Sequence, residues 1–402
     1  MLIGKDSTCQ IAWCFRYSKY SSQKIMGKLP VFVIAVLLYT LVTPACQKND
    51  VEINSQADFE GFIANEMEDQ KIPAMAVLIF REDDILLEQY LGNSNIADNI
   101  SLEADHLFLI ASISKVITAT ALLQLFDEGK FELDDPINDY LPFKVAVPGY
   151  SEQITFRMLL THSSGIEDNY SVMDKQYYYN QDPPITLSYF IEQYLKPGGE
   201  FYDVDDNFYD FRPGTKHEYS NIGSALIGVL VENISGKDFN TYCKDHIFKP
   251  LGMDNSFWLL SEITQTIATP YDYENGRNKS IEHYTNTDYP NGGLRTTARD
   301  LHKLLFPFVN EGQSGNYQVL KKETIQLMLT PQLTTDDDEI VGLHLFYDEE
   351  YNLWGHDGGE QGVATIMAFN PVTKTGAIVF TNQGEADLDD VLIAAYQLGE
   401  QL

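Results

Sequence analysis

Residues 108–126, FLIASISKVITATALLQLF, constrain the fold more than any other stretch of this sequence. At helical spacing the segment is apolar nearly all the way round, and a helix of that kind must be enclosed by other elements. The chain has the material to enclose it. Its 402 residues are 44% hydrophobic, enough for a large core in one big domain or two subdomains. Within the first turn, however, stand Ser112, Ser114 and Lys115. Lysine is almost never fully buried unless its charge is compensated.

Spacing decides which serine the lysine serves. Residues three apart share a helix face and adjacent ones do not, so Lys115 faces Ser112 rather than Ser114. Two roles are open for the pair. Ser112 can cap the helix while Lys115 extends to water. Alternatively, a lysine whose pKa is lowered by apolar surroundings takes the proton of Ser112, giving a nucleophile with a built-in base. The helix N-terminus then favours the developing negative charge.

Two further stretches carry chemistry-bearing residues. In PGTKHEYSNIG, Tyr219 and Asn221 project to one side if the link is extended. A tyrosine beside a lysine can move a proton, and an asparagine amide can hold both a lysine and a substrate carbonyl. In LWGHDGGEQGVATIMAF, His356, Asp357 and Gly358 stand at the start of an expected strand, followed by Gly359. Glycines there admit close backbone approach, and the N–H groups of Gly359 and Ser112 could together form an oxyanion hole. The bland alternatives are a packed tyrosine and a structural strand-end histidine.

Along the chain, 55–70 reads as an amphipathic helix and 74–92 as two strands around an acidic turn. Gly236 is placed to end a helix that follows Asn221. Residues 362–382 read as a hairpin turned at PVTK, and 388–399 as a terminal helix. Strands near both ends with helices between predict one sheet built from both termini, with an inserted helical lobe over roughly 125–290. TDDDEI (335–340) reads as a solvated acidic loop.

The order S-x-x-K, Y-x-N, H-x-G resembles the serine β-lactamase and penicillin-binding protein superfamily, most closely its class C β-lactamase-like branch of DD-carboxypeptidases, D-amino-acid-specific peptidases and esterases. LLTHSSGI (159–166), FKPLGMDNSFW (248–258) and GGLRTTARDL (292–301) agree with it. The resemblance implies an α+β fold of the β-lactamase/transpeptidase type, an α/β sandwich whose antiparallel sheet is flanked by helices. It implies Ser112 as acylated nucleophile, Lys115 and Tyr219 sharing proton transfer, Asn221 positioning substrate, His356 and Gly358 lining the binding strand, and the N–H groups of Ser112 and Gly359 binding the oxyanion. Ser114 would be a bystander. The literal string Lys374-Thr375-Gly376 falls after the strand that the third motif should precede, so Lys374 reads as a solvated turn lysine. Histidine at 356 is a weaker cation than the lysine usual in class C enzymes, which argues for a peptidase or esterase over an efficient β-lactamase. Arg295 could supply the missing cation, although a surface charge at a helix start is the expectation favoured for it.

The function expected is a serine hydrolase acting through an acyl-enzyme on an amide or ester, a D-amino-acid peptide or small ester. The alternatives are a weak class C-type β-lactamase and a non-catalytic penicillin-recognising lipoprotein. No metal or other cofactor is expected: the eight histidines are scattered, with no H-E-x-x-H, and GHDGGEQG is neither a Walker loop nor a dinucleotide fingerprint. A net charge of −32 disfavours nucleic acid and anionic lipid, leaving a small-molecule or peptide substrate, peptidoglycan-derived among the options, and a monomer.

The N-terminus reads as a processing segment. LPVFVIAVLLYTLV (29–42) is too short to span a bilayer comfortably and precedes TPAC, a pattern resembling a bacterial lipoprotein signal. Thr43 stands where leucine is usual, and an ordinary secretory signal is the alternative. Residues 1–45 would be removed, with Met26 a candidate start. Cys46 would be lipidated, 46–56 a linker, and 57–402 the hydrolase domain of a cell-envelope lipoprotein held to the membrane by its anchor alone. Cys243 reads as a packed thiol.

Overall fold

The computed structural model describes residues 53–402, so the expected signal, Cys46 and most of the linker lie outside the described residues. A nine-stranded sheet organises those residues. Its strands are β1 (Ala74–Arg81), β2 (Asp84–Asn95), β3 (Ile100–Ser101), β4 (Leu333–Thr334), β5 (Ile340–Val341), β6 (Phe346–Asp348), β7 (Leu353–Glu360), β8 (Val363–Phe369) and β9 (Thr375–Thr381). The spatial order is β4-β5-β6-β7-β8-β9-β1-β2-β3, every neighbouring pair antiparallel. The seam between the two ends of the chain is the pairing of β1 with β9, in register at Val77 and Val379. The sheet is thus built from both termini, as expected.

Both central strands read as continuous apolar runs because both of their faces are covered. Ala74, Ala76, Leu78 and Phe80 of β1 join the main core with Ile378 and Phe380 of β9. Met75, Val77 and Ile79 point the other way, with Ala377 and Val379, into a second core under two terminal helices. Those helices are α1 (Gln56–Gln70), capped by Ser55 Oγ on the N–H of Asp58, and a C-terminal helix, Asp389–Gln401. On the opposite face the main core takes in residues between Phe131 and Leu294, over the stretch (roughly 125–290) where an inserted helical lobe was expected. That stretch also carries two small β-pairs that the sequence did not announce, Tyr177–Tyr179 with Tyr284–Asn286 and Tyr271–Glu274 with Arg277–Ser280.

At the centre of the main core lie α2 (Ser114–Asp127) and α3 (Asn221–Ser235), packed on each other. In α2 every residue from Ser114 to Leu125 is buried, as an all-round apolar helix requires. The αL residue Gly236 ends α3, its N–H donating to Glu232 O. Gly228 lets the 289–291 loop close on α3, since a Cβ there would lie 2.7 Å from Pro290 Cγ. Among the described residues, no helix is long and apolar enough to cross a membrane.

Candidate active site

Ser112 lies not in the α-helix but in the preceding 3₁₀ turn, Ala111–Ile113. The three-residue spacing to Lys115 survives the change, because residues i and i+3 of a 3₁₀ turn eclipse. Ala111 holds φ at +46°, a left-handed value that costs energy for a residue with a Cβ. Ser114 is turned into the protein, where its Oγ accepts from the N–H of Leu294 at 3.1 Å.

Lys115 is fully buried. Its Nζ meets three acceptors: Asn221 Oδ1 at 2.7 Å, Asn291 O at 2.7 Å and Ser112 Oγ at 3.0 Å. It also sits 4.9 Å from the ring centroid of Tyr219. One turn along α2, Thr118 Oγ1 donates to Pro290 O at 2.6 Å, fixing the loop that presents Asn291 O. Burial lowers Lys115 to about 7, while Asp168, Asp288, Asp357 and Glu360 act in the opposite direction.

That geometry gives the amine a direction. A neutral lysine has two N–H bonds and one lone pair. Asn291 O is a carbonyl and can only accept, and Asn221 Oδ1 is likewise an acceptor because its Nδ2 donates to Asp168 Oδ2 at 2.9 Å. The two N–H bonds are therefore used on those oxygens, and the lone pair is left facing Ser112, the one partner of the three that can donate.

Asp168, which sequence reasoning missed, organises the other side. Its carboxylate accepts from the backbone N–H groups of Asn221 at 2.9 Å and Ile222 at 3.0 Å and from Ser220 Oγ at 3.2 Å, besides the Asn221 amide. It thereby caps α3 and sets the Asn221 side chain in a single orientation. Nothing near Asp168 in sequence signals this role, since the contacts span more than fifty residues.

Tyr219 is hydrogen-bonded to Ser112, and burial holds its phenol well above the usual tyrosine value. It is therefore a protonated group. Its ring stacks on buried His162 with centroids 4.3 Å apart, and His162 stacks in turn on buried His344 at 4.6 Å. His162 Nδ1 accepts from the N–H of Ser220, locking the Tyr219–Asn221 stretch. Burial pushes both histidines well below the usual imidazole value, so they support Tyr219 as neutral rings.

The third stretch lies within β7, which starts three residues before His356. Gly358 abuts the turn that carries Ser112: a Cβ there would be 2.4 Å from Ile110 O and 3.1 Å from Ala111 Cβ. Thr365, its partner in β8, donates to Ile110 O at 2.9 Å. Gly359 follows, in register with Ala364. His356 is buried, its Nδ1 lying 2.6 Å from Asp357 O, and burial together with Lys115 pushes it down to about 3. Both causes favour the neutral ring over the weak cation expected from sequence. Arg295 also departs from expectation. It is buried, its guanidinium donating to Gly293 O at 2.7 Å and to Tyr284 O, because β-pairing with Phe108–Leu109 draws it inward. Lys374 is an exposed turn residue that pairs with Glu82 at 2.7 Å, between β8 and β9.

Among the described residues, one trio could bring three metal-ligand atoms together: Glu103, Asp105 and His106. Two are exposed carboxylates and His106 Nδ1 is engaged by the Glu103 N–H, so it is a surface cluster separate from Ser112 in the chain's chemistry.

The family model described as Beta-lactamase matches residues 59–400. The chain belongs to the beta-lactamase family. Among curated relatives, it is 27% identical to Beta-lactamase-like protein 4 of Dictyostelium discoideum, over 91% of this chain and 68% of that protein. It is 23% identical to Protein flp of Staphylococcus aureus strain MW2, over 82% of this chain and 63% of that protein. The chain thus spans about two thirds of the length of these relatives. Among solved structures, a penicillin-binding protein from Bacillus halodurans is 27% identical with a TM-score of 0.68, covering 84% of this chain and 98% of that one. A class C beta-lactamase mutant, Y150F, shares the fold at 19% identity and a TM-score of 0.68, over 86% and 96% of the two chains. EstCE1, a hydrolase with promiscuous acyltransferase activity, shares it at 16% identity and a TM-score of 0.68, over 84% and 97%. Family membership and fold match what the motifs implied.

Proposed function

We propose that this member of the family is a serine hydrolase that works through an acyl-enzyme on an amide or ester, a D-amino-acid peptide or a small ester. One observation carries the proposal: Lys115 Nζ is held by two obligate acceptors with its remaining valence on Ser112 Oγ, 3.0 Å away. As Ser112 Oγ bonds to the substrate carbonyl carbon, its proton passes to Lys115. The carbonyl becomes an oxyanion, for which the N–H groups of Ser112 and Gly359 are the proposed donors. Collapse breaks the bond to the leaving group, which takes a proton through Tyr219, and Lys115 returns Tyr219's proton. Water then attacks the ester under the same base, releasing the acid and restoring Ser112. Asn221 holds Lys115 through Oδ1, and the second hydrogen of its Nδ2 is offered to the substrate. His356 and Gly358 line the strand along which the substrate lies. The high phenol pKa supports Lys115 as the base and Tyr219 as the proton relay.

Intact-mass spectrometry of the purified protein with a fluorophosphonate, penicillin G and p-nitrophenyl acetate tests this. A phosphonate adduct that disappears in Ser112→Ala, with ester turnover and little penicilloyl adduct, is the expected outcome. No adduct with any probe would mean a binding protein without catalysis. A persistent penicilloyl adduct would move the substrate toward a DD-peptidase. We further propose that the protein is exported and tethered by a lipid on Cys46. Cys46→Ser should then move it from the membrane to the soluble fraction, and unchanged partitioning would sink the anchor.

A further inference from the structure

We infer that Asp288 is a positioning residue of this site: through the Asn291 side chain it holds the carbonyl that accepts from Lys115, and its carboxylate supplies the counter-charge when that lysine takes the proton of Ser112. The inference rests on the acyl-enzyme reading above. Each of the two oxygens that hold Lys115 Nζ belongs to an asparagine whose amide is tied to a carboxylate. Asn221 Oδ1 accepts from Nζ at 2.7 Å while its Nδ2 donates to Asp168 Oδ2 at 2.9 Å. Asn291 O accepts from Nζ at 2.7 Å while its Nδ2 donates to Asp288 Oδ2 at 2.7 Å and to Asp288 O at 2.8 Å. The two arms differ in setting. Asp168 spends its oxygens on four donors. Asp288 is buried, and among the described residues the Asn291 amide is the hydrogen bond its carboxylate accepts from another residue. A buried carboxylate so sparsely bonded is unfavourable unless a positive charge compensates it. Across that one asparagine lies the Lys115 ammonium, which Asp288 favours.

The loop holds this arm firmly. Asp288 precedes the 3₁₀ turn Tyr289–Asn291, and its O accepts from the Asn291 N–H at 3.0 Å. Thr118 of α2 fixes Pro290 O, and Gly228 of α3 makes room for the Pro290 ring. The turn thus fixes the Asn291 main chain, Asp288 fixes its side chain, and the carbonyl direction follows from both. The other titratable groups acting on Lys115 are Asp168, Asp357 and Glu360, with Tyr219 and the buried rings of His162, His344 and His356 beside it. Those facing Asp288 are Asp168, Glu360 and the phenols of Tyr177 and Tyr194. Burial, with Asp168 and Glu360 adding to it, raises Asp288 to about 7, close to Lys115. An ammonium at Lys115 then favours ionised Asp288, and ionised Asp288 favours the ammonium. The positive charge that arises on Lys115 as Ser112 loses its proton is compensated inside the core.

Asp288→Asn keeps an oxygen for the Asn291 amide and removes the charge. Two readouts are followed against pH: labelling of Ser112 by a neutral fluorophosphonate, and the ε-carbon NMR resonance of Lys115 in protein carrying 13C-labelled lysine, identified by its loss in Lys115→Met. Without the counter-charge the ammonium is less stable, so both midpoints should move toward acid by at least about half a pH unit. The alkaline plateau of labelling should stay within about threefold of the unchanged protein. Asp288→Ala, which also frees the Asn291 side chain, should give the same shift and lower the plateau about tenfold or more. Midpoints that stay in place or move toward alkali in Asp288→Asn overturn the inference, and so does a plateau left intact by Asp288→Ala. Asp288→Ser is the second charge-free variant able to keep a bond to Asn291; if neither it nor Asp288→Asn folds by circular dichroism, Asp288 is a folding residue and the inference fails. Unchanged protein that takes no label overturns the acyl-enzyme reading, while the NMR midpoints still decide whether Asp288 sets the charge of Lys115.

Discussion

In the proposed mechanism most of the chemistry depends on Lys115, because one buried amine must be neutral to act. Burial brings it to about 7, far below the ordinary lysine value, so the active neutral fraction grows as pH rises through that point. Acylation by a neutral probe should therefore climb about tenfold per pH unit below 7 and flatten above it. Asp288, raised by burial to about 7, and Asp357, raised to about 6, titrate in the same window, so the observed midpoint belongs to the coupled group. A labelling rate that stays flat from acidic to alkaline pH would remove Lys115 from the role of base. Lys115→Ala should lose the limb and fall by roughly 10²–10⁴-fold. Tyr219 can be separated from it by the leaving group. A p-nitrophenolate departs without a proton and an amine does not, so Tyr219→Phe should slow amide cleavage at least about tenfold more than ester cleavage. Equal losses on the two substrates would assign Tyr219 to packing. Spacing put Lys115 on the face of Ser112, and the family resemblance of S-x-x-K followed by Y-x-N singled out Tyr219 and Asn221. Asp168, His162 and His344 were not legible, because their partners are supplied by distant segments and no local period marks them.

At the scale of elements, the proposed catalysis depends on how closely β7 is pressed against the turn that carries Ser112. That turn holds Ala111 in a left-handed conformation, and such strain persists only when surrounding structure over-determines it. The clamp is visible as Thr365 Oγ1 on Ile110 O and as the absence of room at Gly358. Gly358→Ala would place a methyl group 2.4 Å from Ile110 O and 2.5 Å from Thr365 Oγ1. Strand and turn would have to separate, moving the nucleophile relative to its base, and misplacement of about 1 Å can cost on the order of 10²-fold. The variant should remain folded by circular dichroism while its labelling rate drops by that factor. An unaffected rate would show that the turn keeps its place without the clamp. The sequence placed these glycines near a strand but set the strand's start at His356. Leu353 and Trp354 extend β7 backward by pairing with β6, a three-residue strand too short to carry its own alternating pattern.

For the whole molecule, the joining of both termini in one sheet and the excess of acid are separate consequences of the sequence. The first was readable from where the β-rich runs fell. The small β-pairs of the lobe were not, because short polar and tyrosine-rich segments such as Tyr177–Tyr179 acquire their strand geometry from the segment they pair with. The second consequence, a net charge of −32, acts at a distance. A diffuse acidic field draws in a cationic substrate and is screened by salt, with a Debye length of about 10 Å at 0.1 M and about 3 Å at 1 M. For D-alanine p-nitroanilide, kcat/KM should therefore fall severalfold between these salt concentrations, whereas for its N-acetyl derivative it should stay nearly level. A rate for the cationic substrate that stayed level across the same salt range would show that the acidic surface has no part in gathering substrate.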